Sequence, residues 1–327
     1  MAHNQMILSP TSYVVKPKII FMGTPEFGVI VLEELCQSEY KPILVFTSPD
    51  KPIGRKQIIT PPPVKIIAEK YNIQVLQPNK ISDFKSQIID LKPDLILVAA
   101  YGQILPKEIL EIPKYGCLNI HPSILPKYRG PSPIQYTILN NDQESGVTII
   151  LMDEKMDHGP ILTNFKIEIE TASIIYTQLH NKLAKVGVEL FIETIPKWIK
   201  GEINPQAQDE SKVTFTKIIK KEDGRIDWKK PAQILEREIR AFNPWPSSYC
   251  FWQEKRLKLL KSDVLIQSHH GPFGPLGKTF LAPDEKIAIQ TGKDFLIIKE
   301  LQIEGKKPLN SEEFMRGQKN FIGVVLR

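Results

Sequence analysis

The chain has 327 residues, 42% of them hydrophobic and 24% charged, with a formal net charge of +6. That length exceeds what one small core organises and points to two domains, and the balance of apolar and charged residues excludes a disordered or fibrous chain. Cys36, Cys117 and Cys250 lie far apart and fit neither a disulfide framework nor a metal-ligand spacing, and no apolar run is long enough to span a bilayer.

Residues 1–16 have neither a basic start nor a sustained hydrophobic segment, so they read as an extension before the fold. After them strand and helix patterns alternate. "KIIFMG" (18–23) is a short apolar strand, and "PEFGVIVLEELCQ" has helical spacing with a proline at its first turn. "KPILVFTS" is a second strand, "VKIIAEKYN" a helix, and "SDFKSQIIDLK" a helix with Ser82 as its expected N-cap. "DLILVAAYG" (94–102) is apolar enough for a strand covered on both faces. "CLNIH", "GVTIILMD" and "ILTNFKIEI" add three strands, and a long amphipathic helix runs from about Ala172 to Lys200.

Strands separated by helices require an open, mostly parallel, Rossmann-like sheet, in which ligands sit at the carboxyl ends of the strands. Beyond "GEINPQAQDESKV" the pattern changes. One helix, "PAQILEREIRAF", precedes short β-rich runs punctuated by Gly and Pro, which read as a small, OB-like β-barrel. The expected organisation is an extension (1–16), a catalytic domain (17–203), a polar linker (204–221) and a C-terminal β-barrel domain (222–327). The positive charge is local: residues 212–261 hold 13 Lys and Arg against 6 Asp and Glu, with 21 against 23 before them and 9 against 8 after. Such a block is either the footprint of a polyanionic partner or a solvated lysine-rich linker.

Chemistry concentrates in "CLNIHPSILPKYRGPSP" (117–133). Residues two apart on a strand share a face, so Asn119 and His121 present an amide and an imidazole side by side. The amide can donate to a carbonyl oxygen or to the oxyanion it becomes, and the imidazole can take or share a proton near neutrality. The ordinary alternative is a hydrogen-bonded pair at a strand end. In "ILMDEKMDHGP" either Asp153 or Asp157 could orient the imidazole, and spacing does not choose between them. No Ser or Cys stands in a nucleophile elbow and no His pair has metal spacing, so direct transfer between two substrates is expected, without a covalent intermediate or a metal. "GTPEFG" lacks the dinucleotide and phosphate-loop fingerprints.

"NIHPSILPKYRGPSPIQ" followed by "DEKMDHGPIL" resembles the signature of the folate-dependent formyltransferases. "FMGTPEFGV", "SPDKPIGRK", "PPPVK", "VAAYGQILP" and "RIDWKKPAQILEREIRAFNPWP" resemble, in the same order, members of that family that act on tRNA. The resemblance implies a catalytic trio of Asn119, His121 and Asp157. It implies folate contacts at Ser123, Ile124, Leu125 and Pro126 and a pterin wall at Ile104 and Leu105. It also implies a tRNA-facing loop with Arg55 and Lys56, with 10-formyltetrahydrofolate as formyl donor and initiator methionyl-tRNA as acceptor. A monomer in the bacterial cytoplasm, with no membrane partner, completes the expectation. Two departures stand out: His158 and Pro160 follow the aspartate where the family often has Thr-Gly-Asp, and "PSPIQ" replaces "AAPIQ". His158 is expected to face solvent. The competing readings are a sibling formyltransferase acting on glycinamide ribonucleotide or an amino-sugar nucleotide, a non-catalytic RNA-binding protein and, weaker, a nucleotide-dependent dehydrogenase.

Overall fold

A computed structural model describes residues 16–54, 56–266, 274–282 and 285–327. The expected N-terminal extension, except Lys16, and Arg55 therefore lie outside the described residues. The chain divides into two compact units, Met1–Leu118 and Asn119–Arg327.

In the first unit the elements are β1 (Ile19–Gly23), α1 (Glu26–Gln37), β2 (Leu44–Phe46), β3 (Lys51–Ile53), β4 (Ile58–Thr60), α2 (Pro63–Lys70), β5 (Gln74–Leu76), α3 (Lys85–Leu91), β6 (Leu95–Ala99) and α4 (Lys107–Leu110). Strand β7 (Cys117–His121) begins in this unit and ends in the second. The order β5-β2-β1-β6 is parallel throughout, as strand-helix alternation demands. Every residue of β1 and β6 is buried, which is why both read as unbroken apolar runs. Pro25 stands at the N-cap of α1, and Pro63 opens α2, where its missing N–H costs nothing.

Two details differ from the sequence reading. Ser82 caps no helix, because a 3-10 turn over Ile81–Phe84 comes first and α3 starts at Lys85. Strands β3 and β4 form an antiparallel hairpin whose residues are almost all exposed. Periodicity misses it because neither face is buried.

The second unit continues with α5 (Pro133–Leu139), β8 (Glu144–Leu151), β9 (Ile161–Glu168) and α6 (Tyr176–Ile199). β8 and β9 pair antiparallel, and α6 packs on them. After α7 (Ala232–Phe242) come β10 (Ser248–Trp252), β11 (Lys255–Leu265), β12 (Thr279–Leu281), β13 (Ile287–Gln290), β14 (Phe295–Ile303), β15 (Leu309–Asn310) and α8 (Ser311–Gly317). These strands form a curled, barrel-like antiparallel sheet in the order β10-β11-β14-β13-β12, with β15 on β14. A register shift near Lys261 bends the long β11–β14 ladder. Its core gathers Trp228, Leu235, Ile239, Trp252, Phe314 and Phe321, with Trp252 and Phe321 edge-to-face at 5.1 Å. Among the described residues no helix is long and apolar enough to cross a membrane.

Candidate active site

Strand β7 delivers the first two groups. Its residue Ile120 is buried on the side of α6, where Gly187 makes close approach feasible: a Cβ there would sit 2.5 Å from Ile120 Cγ2. Alternation turns Asn119 and His121 to the opposite face. Both meet Asp157. Asn119 Nδ2 donates to Asp157 Oδ1 at 3.2 Å, and His121 Nδ1 lies 3.5 Å from the same oxygen. The other carboxylate oxygen, Oδ2, accepts the Gly130 backbone N–H at 2.8 Å.

The imidazole tautomer follows from its partners. His121 Nε2 is 2.9 Å from the Tyr128 carbonyl oxygen, which can only accept, so Nε2 carries hydrogen and donates it. Nδ1 is then the ring nitrogen that faces Asp157, and His121 is 4% exposed. Asn119, half-buried, spends one N–H on Asp157 and keeps a second for a ligand oxygen.

Two non-glycine residues of the cluster hold left-handed backbone, Tyr128 at φ 66° and Asp157 at φ 49°. Such angles cost energy and persist where surrounding contacts fix them. Around Asp157 the fixing is tight. A Cβ on Gly159 would lie 1.9 Å from the Leu151 carbonyl oxygen, so only glycine lets the turn fold back on the end of β8. Asp153 serves the turn and not the trio: its carboxylate accepts the Lys155 N–H at 3.0 Å and faces His158 Nδ1 at 2.5 Å. His158 also lies 3.7 Å from Glu210. The expectation that it simply faces solvent is therefore corrected; the ring is 34% exposed and ends in an acidic pair.

The proline-bearing loop after β7 is equally constrained. Ser123 Oγ donates to the Lys127 carbonyl at 2.6 Å, and Thr148 Oγ1 accepts from Leu125 N while donating to the Ser123 carbonyl. Ser123 and Leu125 are buried by these contacts, whereas Ile124 and Pro126 are half-buried. In the first unit Ile104 is 74% exposed and Leu105 only 2%, and Lys56 is exposed.

Sequence reasoning missed a set of residues between 206 and 216. Gln208 Nε2 donates to both the Asp157 and Gly159 carbonyls at 2.8 Å. Arg129 donates through Nε to Gln208 Oε1 at 2.9 Å and through its terminal nitrogens to Glu210. Thr214 Oγ1 accepts from Tyr128 N, and Thr216 Oγ1 accepts from Ser132 N. The stretch expected as a linker thus runs as a strap across both loops of the site. Hydrogen bonds from Arg129 hold the Glu210 carboxyl below its ordinary 4.5.

Burial pushes the Cys117 thiol up to about 12, so this strand offers no thiolate at neutral pH. Among the described residues no group of three or more His, Cys, Asp or Glu is placed to hold a metal ion. In the basic block, Lys230 and Arg240 are paired with Glu238 and Glu236, while Lys217, Lys220 and Lys221 are exposed.

An amide and an imidazole held on one carboxylate, at the end of a Rossmann-like strand, are groups suited to acyl transfer to a nucleophile. Residues 17–195 match the family model "Formyl transferase" and 218–319 match "Formyl transferase, C-terminal domain". The chain belongs to the formyl transferase family. It is 43% identical over 312 residues to a methionyl-tRNA formyltransferase of Bacillus velezensis, covering 94% of this chain and 97% of the relative. Among solved structures it resembles HypX from Aquifex aeolicus in complex with tetrahydrofolic acid, with a TM-score of 0.61, 18% identity, and 95% and 48% of the two chains covered. It also resembles the sugar 3N-formyl transferase WlaRD, with a TM-score of 0.60, 22% identity, and 90% and 100% covered. These two likenesses carry the fold alone.

Proposed function

We propose that the protein transfers the formyl group of 10-formyltetrahydrofolate to the α-amino group of initiator methionyl-tRNA. The observation that carries this reading is the joint grip of Asp157 on Asn119 and His121, in a chain that matches a methionyl-tRNA formyltransferase over nearly the whole of both lengths.

The amine nitrogen forms a bond to the formyl carbon while the bond from that carbon to N10 of the folate breaks. The amine loses a proton and N10 gains one. The second N–H of Asn119 hydrogen-bonds the oxyanion that develops on the formyl oxygen. His121 Nδ1 accepts the amine proton next to Asp157 Oδ1, its ring held by the Nε2 hydrogen bond to Tyr128. A free α-amine titrates near pH ~8, so positioning matters more than a strong base.

Ser123, Ile124, Leu125 and Pro126, with Ile104 and Leu105, form the folate side in this reading. The ordered 123–126 loop supports it, because walls fixed before the substrate arrives lower the cost of binding. Arg55 and Lys56, together with the basic 212–261 block, face the tRNA phosphates. The domain boundaries 17–203, 204–221 and 222–327 are part of the proposal, supported by matched ranges that end at 195 and resume at 218. A monomer working in a bacterial cytoplasm fits this role.

Formylation of charged initiator tRNA compared with glycinamide ribonucleotide, both with 10-formyltetrahydrofolate, tests the reading. Preference for tRNA is expected. Preference for the small amine would transfer the chain to the sibling activity.

A further inference from the structure

We propose that Gln208 is a positioning residue for the reaction: it holds the backbone of the Asp157 turn so that the carboxylate stays against Asn119 and His121. This rests on the formyl-transfer reading above and names a residue that the reading does not require.

Both N–H groups and the oxygen of the carboxamide are engaged. Its two N–H bonds point at the Asp157 and Gly159 carbonyls, both at 2.8 Å, and its oxygen accepts from Arg129 Nε at 2.9 Å. Carbonyls only accept and a guanidinium only donates, so a single orientation of the amide satisfies all three partners. The guanidinium is itself fixed, donating to Glu210 at 3.3 and 2.7 Å while 3% exposed.

What Gln208 grips is the strained part of the site. Asp157 sits at φ 49°, and its carbonyl is held at the point where the turn reverses. Without the amide that carbonyl loses this partner, and the turn is free to relax toward commoner angles. The carboxylate is gripped from the other end by the same device, because Gly130, whose N–H donates to Asp157 Oδ2, follows Arg129 directly. Arg129 is anchored in turn by its backbone, N–H to the Thr214 carbonyl at 2.9 Å and carbonyl to the Thr216 N–H at 2.8 Å. One strap therefore fixes the catalytic carboxylate through its backbone and through its side chain.

The experiment compares wild type, Gln208→Ala and Gln208→Glu as full-length proteins, with kcat and both KM values measured for 10-formyltetrahydrofolate and charged initiator tRNA. In Gln208→Ala, kcat is expected to fall about 10- to 100-fold, the cost of a small misplacement of a reacting group, with both KM values within about twofold. Gln208→Glu keeps an acceptor for Arg129 but lacks both donors, so it is expected to be as slow as Gln208→Ala, and it serves as the test if Gln208→Ala fails to fold. In an Asp157→Asn background, Gln208→Ala is expected to cost less than about twofold more, because the two act as one unit. Wild-type kcat in Gln208→Ala, rescue by Gln208→Glu, or losses that multiply in the double variant would each overturn the proposal. A wild-type enzyme that formylates no tRNA would instead overturn the parent reading.

Discussion

Two loops of this protein are built in opposite ways. The Asp157 turn and the segment 121–132 are crossed by hydrogen bonds from β8 and from the strap, and two of their non-glycine residues are held in left-handed backbone. The β3–β4 hairpin has a short ladder of its own and leaves Ile53, Ile58 and Ile59 58–65% exposed. The first construction suits chemistry, where a displacement of an ångström costs rate. The second suits contact with a large partner, where exposed apolar and basic side chains gain burial only on binding.

The sharpest way to test that contrast is Asn119→Ala, expected to lower kcat by about 10²- to 10³-fold, the usual loss for an oxyanion donor, with KM for tRNA little changed. Steady-state kinetics decide it, and an unchanged kcat would remove Asn119 from the mechanism. Next, Gly159→Ala forces a Cβ onto the Leu151 carbonyl and is expected to destabilise the fold by about 1–3 kcal/mol, read from the urea midpoint. A wild-type midpoint would mean that the turn is looser than its contacts imply. Arg55→Ala with Lys56→Ala is expected to raise KM for tRNA and to leave KM for the folate and kcat near wild type. The salt slope of tRNA binding should fall by up to about 2, roughly one for each phosphate that is no longer neutralised. Equal effects on both substrates would erase the distinction between the two loops.

The smallest effect concerns pH. The folded Glu210 carboxyl titrates below 4.5, so its pair with Arg129 contributes stability above pH 4.5 and loses it as the pH falls below 4.5 through the folded value. The melting temperature of wild type should exceed that of Glu210→Gln at pH 7, and the gap should close below pH 4.5. A gap independent of pH would show that the pair carries no charge-dependent stability.

Much of the catalytic half was legible because its signals are strong. Fully buried strands such as β1 and β6 give unbroken apolar runs, and Asn119 and His121 share a face by strand geometry alone. Asp157 was not legible from spacing, since Asp153 stands equally close to a strand end; family resemblance selected it, and the structure brings it to Asn119 and His121 while Asp153 turns to His158. Gln208 and Thr214 carried no sequence signal. Their partners lie about 50 and 86 residues away along the chain, and "NPQAQDESKVTFT" has the polar composition of any connector. Which basic residues of the block are paired was not legible either: Lys230 and Arg240 meet glutamates of α7, while Lys217, Lys220 and Lys221 are exposed.

The strap has a consequence for how enzymes of this kind can be cut and recombined. The two family matches stop at 195 and resume at 218, leaving the residues that cross the active-site loops outside both. A chimera joined at 195 would keep every residue of the trio and still risk a mismatched Gln208, Glu210 or Thr216 from another parent. The smallest exchangeable catalytic piece therefore runs past Thr216, and grafting a foreign C-terminal domain requires a seam on its far side.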